Sequence, residues 1–582
     1  MTQFSNTLPV LVLDGDMTPA LTITRSLARR GLEVDIASHI EKPLASYSRM
    51  SANTLIYPDP LTKKQDFLTW CRATMAENKY QLIIPVTERT LVPMQGLTSQ
   101  PGGEKLAIAP VEALEIALDK KRTLTLAKDL GIPTPLSKLV ETQQQLADVI
   151  ADFTPPVVIK PARSIGENKH GRKQLRVEYA FSQEELLANA KQFLQYGAIL
   201  LQEYFQGQGV GVELIANQGE IVYAFQHLRL HEVPLTGGGS SLRVSVPLEP
   251  ALLDASQKLI KALNWHGVAM VEFKWNPDTK AFALMEINGR FWGSLPLAVA
   301  AGADFPAMLY ELMTQGKVEQ RPAATVGVYG RKLSSDIYWY EQVLRRDAPA
   351  GLVKFPNART TFRDLLRIFS PRHSFDIQHW RDPIPGLNDL GKIISSYSNR
   401  VIGLAQDRLA LQRQRKAWRS GRAESRLRTA DQVLFLCYGN INRSALAEAY
   451  IKSIVPDTTT KYISAGYHDE EGRPADPAMV DVASATGIDL QNWSSKKITH
   501  DMVNASDVIL AMEQKHYDYV AEHFPEAASK TFLLGMADET LAGYGEIADP
   551  YGKPKSAYER CVKEVTANVR AIVKILNKTE NV

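Results

Sequence analysis

The sequence predicts an α/β chain of several domains: a Rossmann-like sheet first, a mixed α+β region next, and a doubly wound parallel sheet last. Three observations predict it. Apolar runs of strand length alternate with amphipathic helical patterns between residues 9 and 86. Glu286 and Asn288 alternate on one face in Ala283-Leu-Met-Glu286-Ile-Asn288, as residues do along strands, and Ala269-Met-Val-Glu272-Phe reads as a neighbouring strand. The run Val433-Leu-Phe-Leu436 feeds a short loop that opens into a helical pattern over 445–454. A chain of 582 residues has room for roughly three to five domains.

Residues 9–14 read as a buried parallel strand, 18–30 as an amphipathic helix, 32–37 as a second strand and 80–86 as a further one. Gly15 follows the first strand, but no complete Gly-x-Gly-x-x-Gly follows, so a tight βα turn is expected there and not a dinucleotide site. The pattern changes near residue 115. Asp119-Lys120 opens a helix that ends at Gly131-Ile-Pro-Thr-Pro135. Pro155-Pro-Val-Val-Ile-Lys160-Pro161 reads as a strand, followed by a polar loop with Gly166 and Gly171. Ile199-Leu-Leu-Gln-Glu203-Tyr204 and Gly211-Val-Glu213 follow, then the two acidic strands and Arg290.

This ordered set resembles the ATP-grasp superfamily, notably its carbamoyl phosphate synthetase-like branch, over residues 1–330. The resemblance implies a pre-ATP-grasp domain over 1–114 and an ATP-grasp domain over 115–330. It implies ATP binding by Lys120, Lys160, Glu203, Tyr204 and Glu213, and Mg2+ (Mn2+ as a substitute) on Glu272, Glu286 and Asn288. The chemistry it implies is activation of a carboxylate as an acyl phosphate, which an amine or thiol then attacks.

Elementary chemistry agrees. Two lysines on separate elements can meet the phosphates of one nucleotide, and Glu203 at a strand end suits an adenine hinge. Glu213 would bond ribose or support that wall. Hard oxygen ligands are what Mg2+ prefers, and Arg290 can stabilise a transferred phosphoryl group. Lys120, in a Lys-Lys-Arg cluster, also fits a solvated helix face, and Lys160 a strand edge. Glu286 inside an apolar run is harder to dismiss, because a buried acid is costly unless paired or metal-bound. His227 and His231 read as ordinary polar positions near a substrate mouth. Thr236-Gly-Gly-Gly-Ser240 reads as a flexible loop, with Arg243 beyond it as a substrate anchor.

Residues 331–400 are aromatic and mixed, with Trp339, Trp380 and Pro383-Ile-Pro385, and read as a partly helical extension of the preceding module. Residues 401–430 carry Arg408, Arg413, Arg415, Arg419, Arg422, Arg426 and Arg428, the pattern of a solvated linker helix.

The last domain, 431–582, holds the most informative stretch, Cys437-Tyr-Gly-Asn-Ile-Asn-Arg443-Ser444. A strand delivers a cysteine to a tight loop, and a helix begins at the loop's end. Backbone N–H groups at a helix N-terminus attract anions and favour a thiolate. An arginine there can grip phosphate oxygens in bidentate fashion. Cys-x5-Arg-Ser, Ser464-Ala465-Gly466, Asp507-Val-Ile-Leu-Ala-Met512 and Asp549-Pro550 resemble, in that order, the low-molecular-weight protein tyrosine phosphatases. The resemblance implies that Cys437 attacks phosphorus and that Arg443 holds the equatorial oxygens. Asp549 then protonates the leaving group, Ser444 bonds the sulfur and Asn440 braces the loop. It also implies a phosphotyrosine protein, such as a bacterial tyrosine kinase, as partner, and no cofactor.

Departures from that pattern are visible. Asn442 stands where a second, protective cysteine is common. Ile441 fits the tyrosine-specific pattern, where phosphoarginine-specific relatives usually carry threonine. Trp493 aligns with a loop-bracing histidine. The aromatic specificity position after Ser464-Ala-Gly falls among Asp469, Glu470 and Glu471, so it is expected to be lost. The arsenate reductases on this fold need resolving cysteines, and Cys71 and Cys561 have no suitable spacing.

A net charge of +3 and 23% charged residues give no global signal for nucleic acid or membrane. Three cysteines fit a reducing compartment. No run approaches membrane-spanning length and Met1-Thr-Gln-Phe-Ser lacks a basic leader, so a cytoplasmic protein is expected. The fusion reads as a bifunctional enzyme taking ATP, a small carboxylate and an amine at one site and a phosphoprotein at the other. The alternatives are a nucleotide-sensing N-terminal module that regulates the phosphatase, and a scaffold without catalysis.

Overall fold

The computed structural model describes residues 8–161, 165–168, 171–174, 177–348, 352–456, 459–538, 540 and 545–577. Two compact units divide the chain, Met1–Ile393 and Ile394–Val582. The opening segment Met1-Thr-Gln-Phe-Ser, and residues 162–164 and 169–170 of the loop after Lys160, lie outside the described residues.

The first unit begins with β1 (Val10–Val12), α1 (Thr18–Ala28), β2 (Val34–Ser38), β3 (Thr54–Ile56), α2 (Lys64–Ala76), β4 (Leu82–Ile84) and α3 (Glu88–Met94). The strands form a parallel sheet in the order β3-β2-β1-β4. Every residue of β1 and β4 is buried, which is why these runs read as continuously apolar. Asp14, just past β1, accepts hydrogen bonds from the backbone N–H groups of Val86 and Thr87 and from Arg89 and Thr90. It thereby ties the end of β1 to the end of β4, and Gly15 sits in the expected turn.

Next come α4 (Val111–Leu118), α5 (Lys120–Asp129), β5 (Ser137–Val140), α6 (Gln143–Val149), β6 (Val157–Pro161), β7 (Ile165–Asn168), β8 (Gly171–Gln174), β9 (Glu178–Ala180), α7 (Gln183–Leu194) and β10 (Ile199–Glu203). An antiparallel sheet, β5-β10-β6-β9, carries Lys160 and Glu203 on adjacent strands. The expected loop after Lys160 contains a hairpin, β7 paired with β8, which satisfies backbone groups a bare loop would leave to water.

The largest sheet is built from β11 (Gln208–Asn217), β12 (Glu220–Val233) and β13 (Gly239–Val246). After α8 (Pro250–Ala262) it takes β14 (Gly267–Trp275) and β15 (Phe282–Asn288). Then follow α9 (Leu295–Ala300), α10 (Phe305–Gln315), β16 (Tyr329–Arg331), α11 (Leu333–Arg345), α12 (Ala358–Leu366) and β17 (His373–Phe375). Strand order is β15-β14-β11-β12-β13-β16-β17. The extension beyond residue 330 therefore adds β17 to the sheet, parallel to β16, and is not a separate layer.

The helix α13 (Pro383–Arg419) contributes its first turns to the first unit and its remainder to the second; α14 (Arg422–Arg428) follows a turn at Gly421, whose φ of 75° suits glycine. The expected solvated linker is corrected here. Its arginines are exposed, but Ala417, Trp418, Ala423 and Leu427 are buried in the core of the second unit, and Trp418 Nε1 donates to the Leu533 carbonyl at 3.1 Å. One apolar stripe between the arginines makes this segment part of the fold.

The second unit continues with β18 (Gln432–Cys437), α15 (Arg443–Ile454), β19 (Lys461–Gly466), α16 (Pro477–Ser484), α17 (His500–Ala505), β20 (Val508–Ala511), α18 (Gln514–His523), β21 (Thr531–Leu533) and α19 (Lys555–Asn577). Its sheet is parallel, in the order β19-β18-β20-β21. Among the described residues no helix is long and apolar enough to cross a membrane.

Candidate active sites

The central strand β18 ends at Cys437 and α15 starts at Arg443, so the intervening loop lies at the carboxyl edge of a parallel sheet. The buried Cys437 Sγ lies 3.0 Å from Ser444 Oγ and accepts from the Asn440 backbone N–H at 3.2 Å. Asn440 takes a left-handed conformation, φ 51°, which asparagine tolerates better than most residues. Three hydrogen bonds of its side chain hold that shape. Nδ2 donates to Ser444 Oγ at 2.9 Å and Ser464 Oγ at 2.7 Å, and Oδ1 accepts from the Lys496 N–H at 2.8 Å. Ser464 Oγ passes its own hydrogen to Glu448 at 2.7 Å.

Arg443 is almost fully buried. It pairs with Glu513 and with Asp549, the latter at 2.9 Å, and donates to the Ile547 carbonyl at 3.0 Å. Burial works against its charge, but Cys437, Asp549 and Glu513 outweigh burial and hold its pKa above the usual value. Burial likewise raises Glu513, yet Lys515 and Arg443 bring it below the carboxylate range. The loop bearing Asp549 is pinned by Tyr558, whose hydroxyl accepts from the Gly552 N–H and donates to Asp476 at 2.7 Å. Cys437, Asn440, Arg443, Ser444 and Asp549 are thus brought together.

Several neighbours went unassigned in the sequence. Glu513 was legible only as the first residue after the β20 run, where it caps α18 together with His516. Arg473 donates to the Gly439 carbonyl at 2.7 Å from a segment with no recognisable spacing. The segment after Ser464-Ala-Gly, where the aromatic was expected to be lost, carries rings directly ahead of Asp469, at Tyr467 and His468. Tyr438 packs edge-on against Tyr467 and His468, with centroids 5.1 and 5.4 Å away. Tyr467 is pushed up to about 12 by burial and by the nearby Cys437. Cys561 is buried and raised to about 12 by that burial, which suits a core thiol and not a resolving one.

In the first unit, a cavity of about 1540 Å³ is lined by Lys120, Lys160, Glu203, Tyr204, Glu272, Glu286, Asn288 and Arg290. Lys160 Nζ donates to Gln202 at 2.6 Å, and burial, with Lys120 nearby, lowers its pKa to about 8. Glu272 and Glu286 stand directly opposite across β14 and β15, and Asn288 donates to Glu286 at 3.0 Å. Arg229 of β12 reaches Glu272 with two bonds, 2.8 and 2.5 Å. It does so across Gly209 of β11, where a Cβ would lie 2.7 Å from the arginine's side chain. Arg229, Glu232 and Lys274 form a charged row that sequence reading missed; the alternating Gly209 and Gly211, which open the groove, were its only local trace.

Two expectations are corrected. Glu213 is fully buried, accepting from Ser294 at 2.6 Å beside His227, so of the two roles expected for it, bonding ribose or supporting the wall, burial removes the first. Arg243 is buried in a two-pronged pair with Asp376 of the segment after β17, at 2.6 Å, and anchors the sheet extension, not a substrate. His231 is likewise structural, bonded to Asp336 at 2.7 Å and stacked on Trp339.

Residues 432–582 match the family described as low molecular weight phosphotyrosine protein phosphatase, and residues 195–334 the family described as ATP-grasp in the biosynthetic pathway with Ter operon. The low molecular weight protein-tyrosine-phosphatase Etp of Escherichia coli (strain K12) is 37% identical over 129 residues, 22% of this chain and 83% of that protein. The chain belongs to the low molecular weight phosphotyrosine protein phosphatase family. A probable phosphatase of the family, AmsI of Erwinia amylovora, is 38% identical over 129 residues, covering 22% of this chain and 85% of its own. The solved ADP complex of PurK, an N5-carboxyaminoimidazole ribonucleotide synthetase, shares 14% identity over 60% of this chain and 86% of its own, with a TM-score of 0.45. The chain is therefore an enzyme of this phosphatase family that also carries an ATP-grasp domain.

Proposed function

We propose that the second unit hydrolyses phosphotyrosine on a protein through a phosphocysteine. The observation that carries this reading is the convergence of the Cys437 sulfur, the Arg443 guanidinium and the Asp549 carboxylate on one loop. In the first step the Cys437 thiolate attacks phosphorus. The phosphorus–oxygen bond to the phenol breaks, and Asp549 supplies the proton to the departing oxygen. In the second, Asp549 takes a proton from water, whose oxygen displaces the sulfur and releases phosphate. Ser444 and the Asn440 N–H hold the sulfur's charge when it leaves. Domain limits near 431–582 fit this assignment, with α14 and the end of α13 as part of the same body.

The first unit we read as a carboxylate–amine (or thiol) ligase. Lys120 and Lys160 would bind phosphates, and Glu203 and Tyr204 would border the adenine. The donor set of Glu272, Glu286 and Asn288 fits a hard divalent cation: two opposed carboxylates and an amide oxygen beside two lysines. Bound there, Mg2+ or Mn2+ would neutralise charge on the triphosphate. A carboxylate oxygen attacks the γ-phosphorus and ADP departs. The amine nitrogen then attacks the acyl carbon, phosphate departs, and the surplus proton passes to solvent. Arg290, which Glu88 braces at 3.2 Å, would steady the transferred phosphoryl group.

The test is ADP release by the Cys437→Ser protein given Mg-ATP, pooled carboxylates and pooled amines. Acceptor-dependent ADP that disappears in Glu286→Ala supports the ligase. ATP binding without ADP release would leave the first unit a ligand-responsive module.

A further inference from the structure

All but the first two residues of the helix α11 lie beyond residue 334, where the match to the ATP-grasp family ends. One side of it is clamped to the sheet. Asp336 bonds His231 of β12 at 2.7 Å and Ser241 of β13 at 3.0 Å, and pairs with Arg331 of β16. Trp339 lies flat on His231, with ring centroids 3.4 Å apart and planes 4° apart. Such a buried, well-bonded polar cluster fixes the rotation of the helix about its axis.

That rotation turns another face to the cavity. Tyr338, Gln342 and Arg346 follow at i, i+4 and i+8, and all three line the cavity with Asp347. Gln342 is 6% exposed and its Oε1 has no hydrogen-bond partner. Buried polar atoms are rarely left unpaired, so the orphaned Gln342 acceptor in the lining of this cavity calls for a ligand that donates to it. Arg346 and Asp347 stand together at the same wall, one cation and one anion, both exposed.

We propose that α11 forms the acceptor wall of this cavity and that the acceptor is an amino acid. Its nitrogen donates to Gln342 Oε1 near the Asp347 carboxylate, and its own carboxylate meets Arg346. A simple amine would leave Arg346 unanswered; a simple acid would leave Gln342 so. The inference takes its chemistry from the ligase reading, but its test does not depend on that reading.

The full-length protein, held with Mg2+ and a non-hydrolysable ATP analogue, is titrated calorimetrically with individual amino acids and with the amines that correspond to them without the carboxylate. Saturable binding of one or more amino acids is expected. Loss of at least tenfold in affinity is expected in Gln342→Leu and in Arg346→Asn, the second chosen because asparagine accepts the left-handed φ of 53° at that exposed position. Retained binding of the ATP analogue shows that each variant is folded. If Gln342→Leu does not fold, Arg346→Asn and the decarboxylated amines decide. No amino-acid binding, equal binding of those amines, or unchanged affinity in both variants overturns the proposal. Amino-acid binding that meets these criteria without ADP release supports the site and counts against the ligase reading alone.

Discussion

Trp493 donates its indole Nε1–H to the carbonyl of Asn440 at 2.7 Å, and so braces from outside the one residue of the catalytic loop held at positive φ. The sequence aligns this tryptophan with a histidine of the family. The indole does the bracing with its single N–H donor, so a buried carbonyl stays satisfied.

Trp493→Phe keeps the ring and removes that donor. An unsatisfied carbonyl costs about 1–3 kcal/mol, and a loop that relaxes misplaces the Asn440 N–H that bonds the sulfur. Turnover of an aryl phosphate should fall about tenfold or more, with a lower melting temperature. Trp493→His should recover most of the activity. Unchanged kcat and melting in the phenylalanine variant would remove the role.

Asp549→Asn keeps the shape but cannot give up a proton to the leaving phenol. For phosphotyrosine peptide, kcat should drop about 10²–10⁴-fold. A substrate with an acidic leaving group, such as dinitrophenyl phosphate, should lose much less in the first step, visible as a retained burst. An equal loss on both substrates would show that Asp549 serves the loop and not the proton.

Lys160 carries the pH dependence of the first unit. Its pKa, lowered to about 8 by burial and then by Lys120, leaves it charged below that value and neutral above it. Triphosphate needs the charged form, so Mg-ATP affinity should hold below pH 8 and then fall by up to about tenfold per pH unit. Lys160→Met should bind weakly, with a flat profile from pH 7 to 9.5. A wild-type profile flat across pH 8 would count against the lysine as a phosphate ligand.

Asn442 and the buried Cys561 leave Cys437 with no thiol partner on the loop. Peroxide should carry it past the sulfenic acid, and dithiothreitol should then restore little activity. Asn442→Cys should make the same treatment largely reversible. Full recovery of the wild-type chain would reveal another protective reaction.

Legibility in the sequence followed the range of the interactions. The loop from Cys437 to Ser444 is contiguous, and its strand and helix are set by local patterns, so its chemistry could be read directly. Glu272 of β14 and the Glu286-Ile-Asn288 run of β15 were legible for the same reason. What failed was long-range pairing. Nothing near Arg243 announces Asp376, and nothing near Glu213 announces Ser294, so one half of a buried ion pair and one buried hydrogen-bonded acid looked like ligands for something else. The arginine-rich segment misled differently, because exposed arginines dominate its composition while four small or apolar residues decide its packing. The hairpin of β7 and β8 was missed because two four-residue runs give too little pattern to separate a strand from a loop.

The ion pair between Arg443 and Asp549 makes the resting phosphatase site its own counter-ion. On the proposed mechanism a phosphate group takes the carboxylate's place on the guanidinium, and the released Asp549 can then take up the proton it gives to the leaving oxygen. Admission and arming become one event. The same exchange run backwards lets Asp549 reclaim Arg443 as inorganic phosphate departs, so the step that empties the site also resets it.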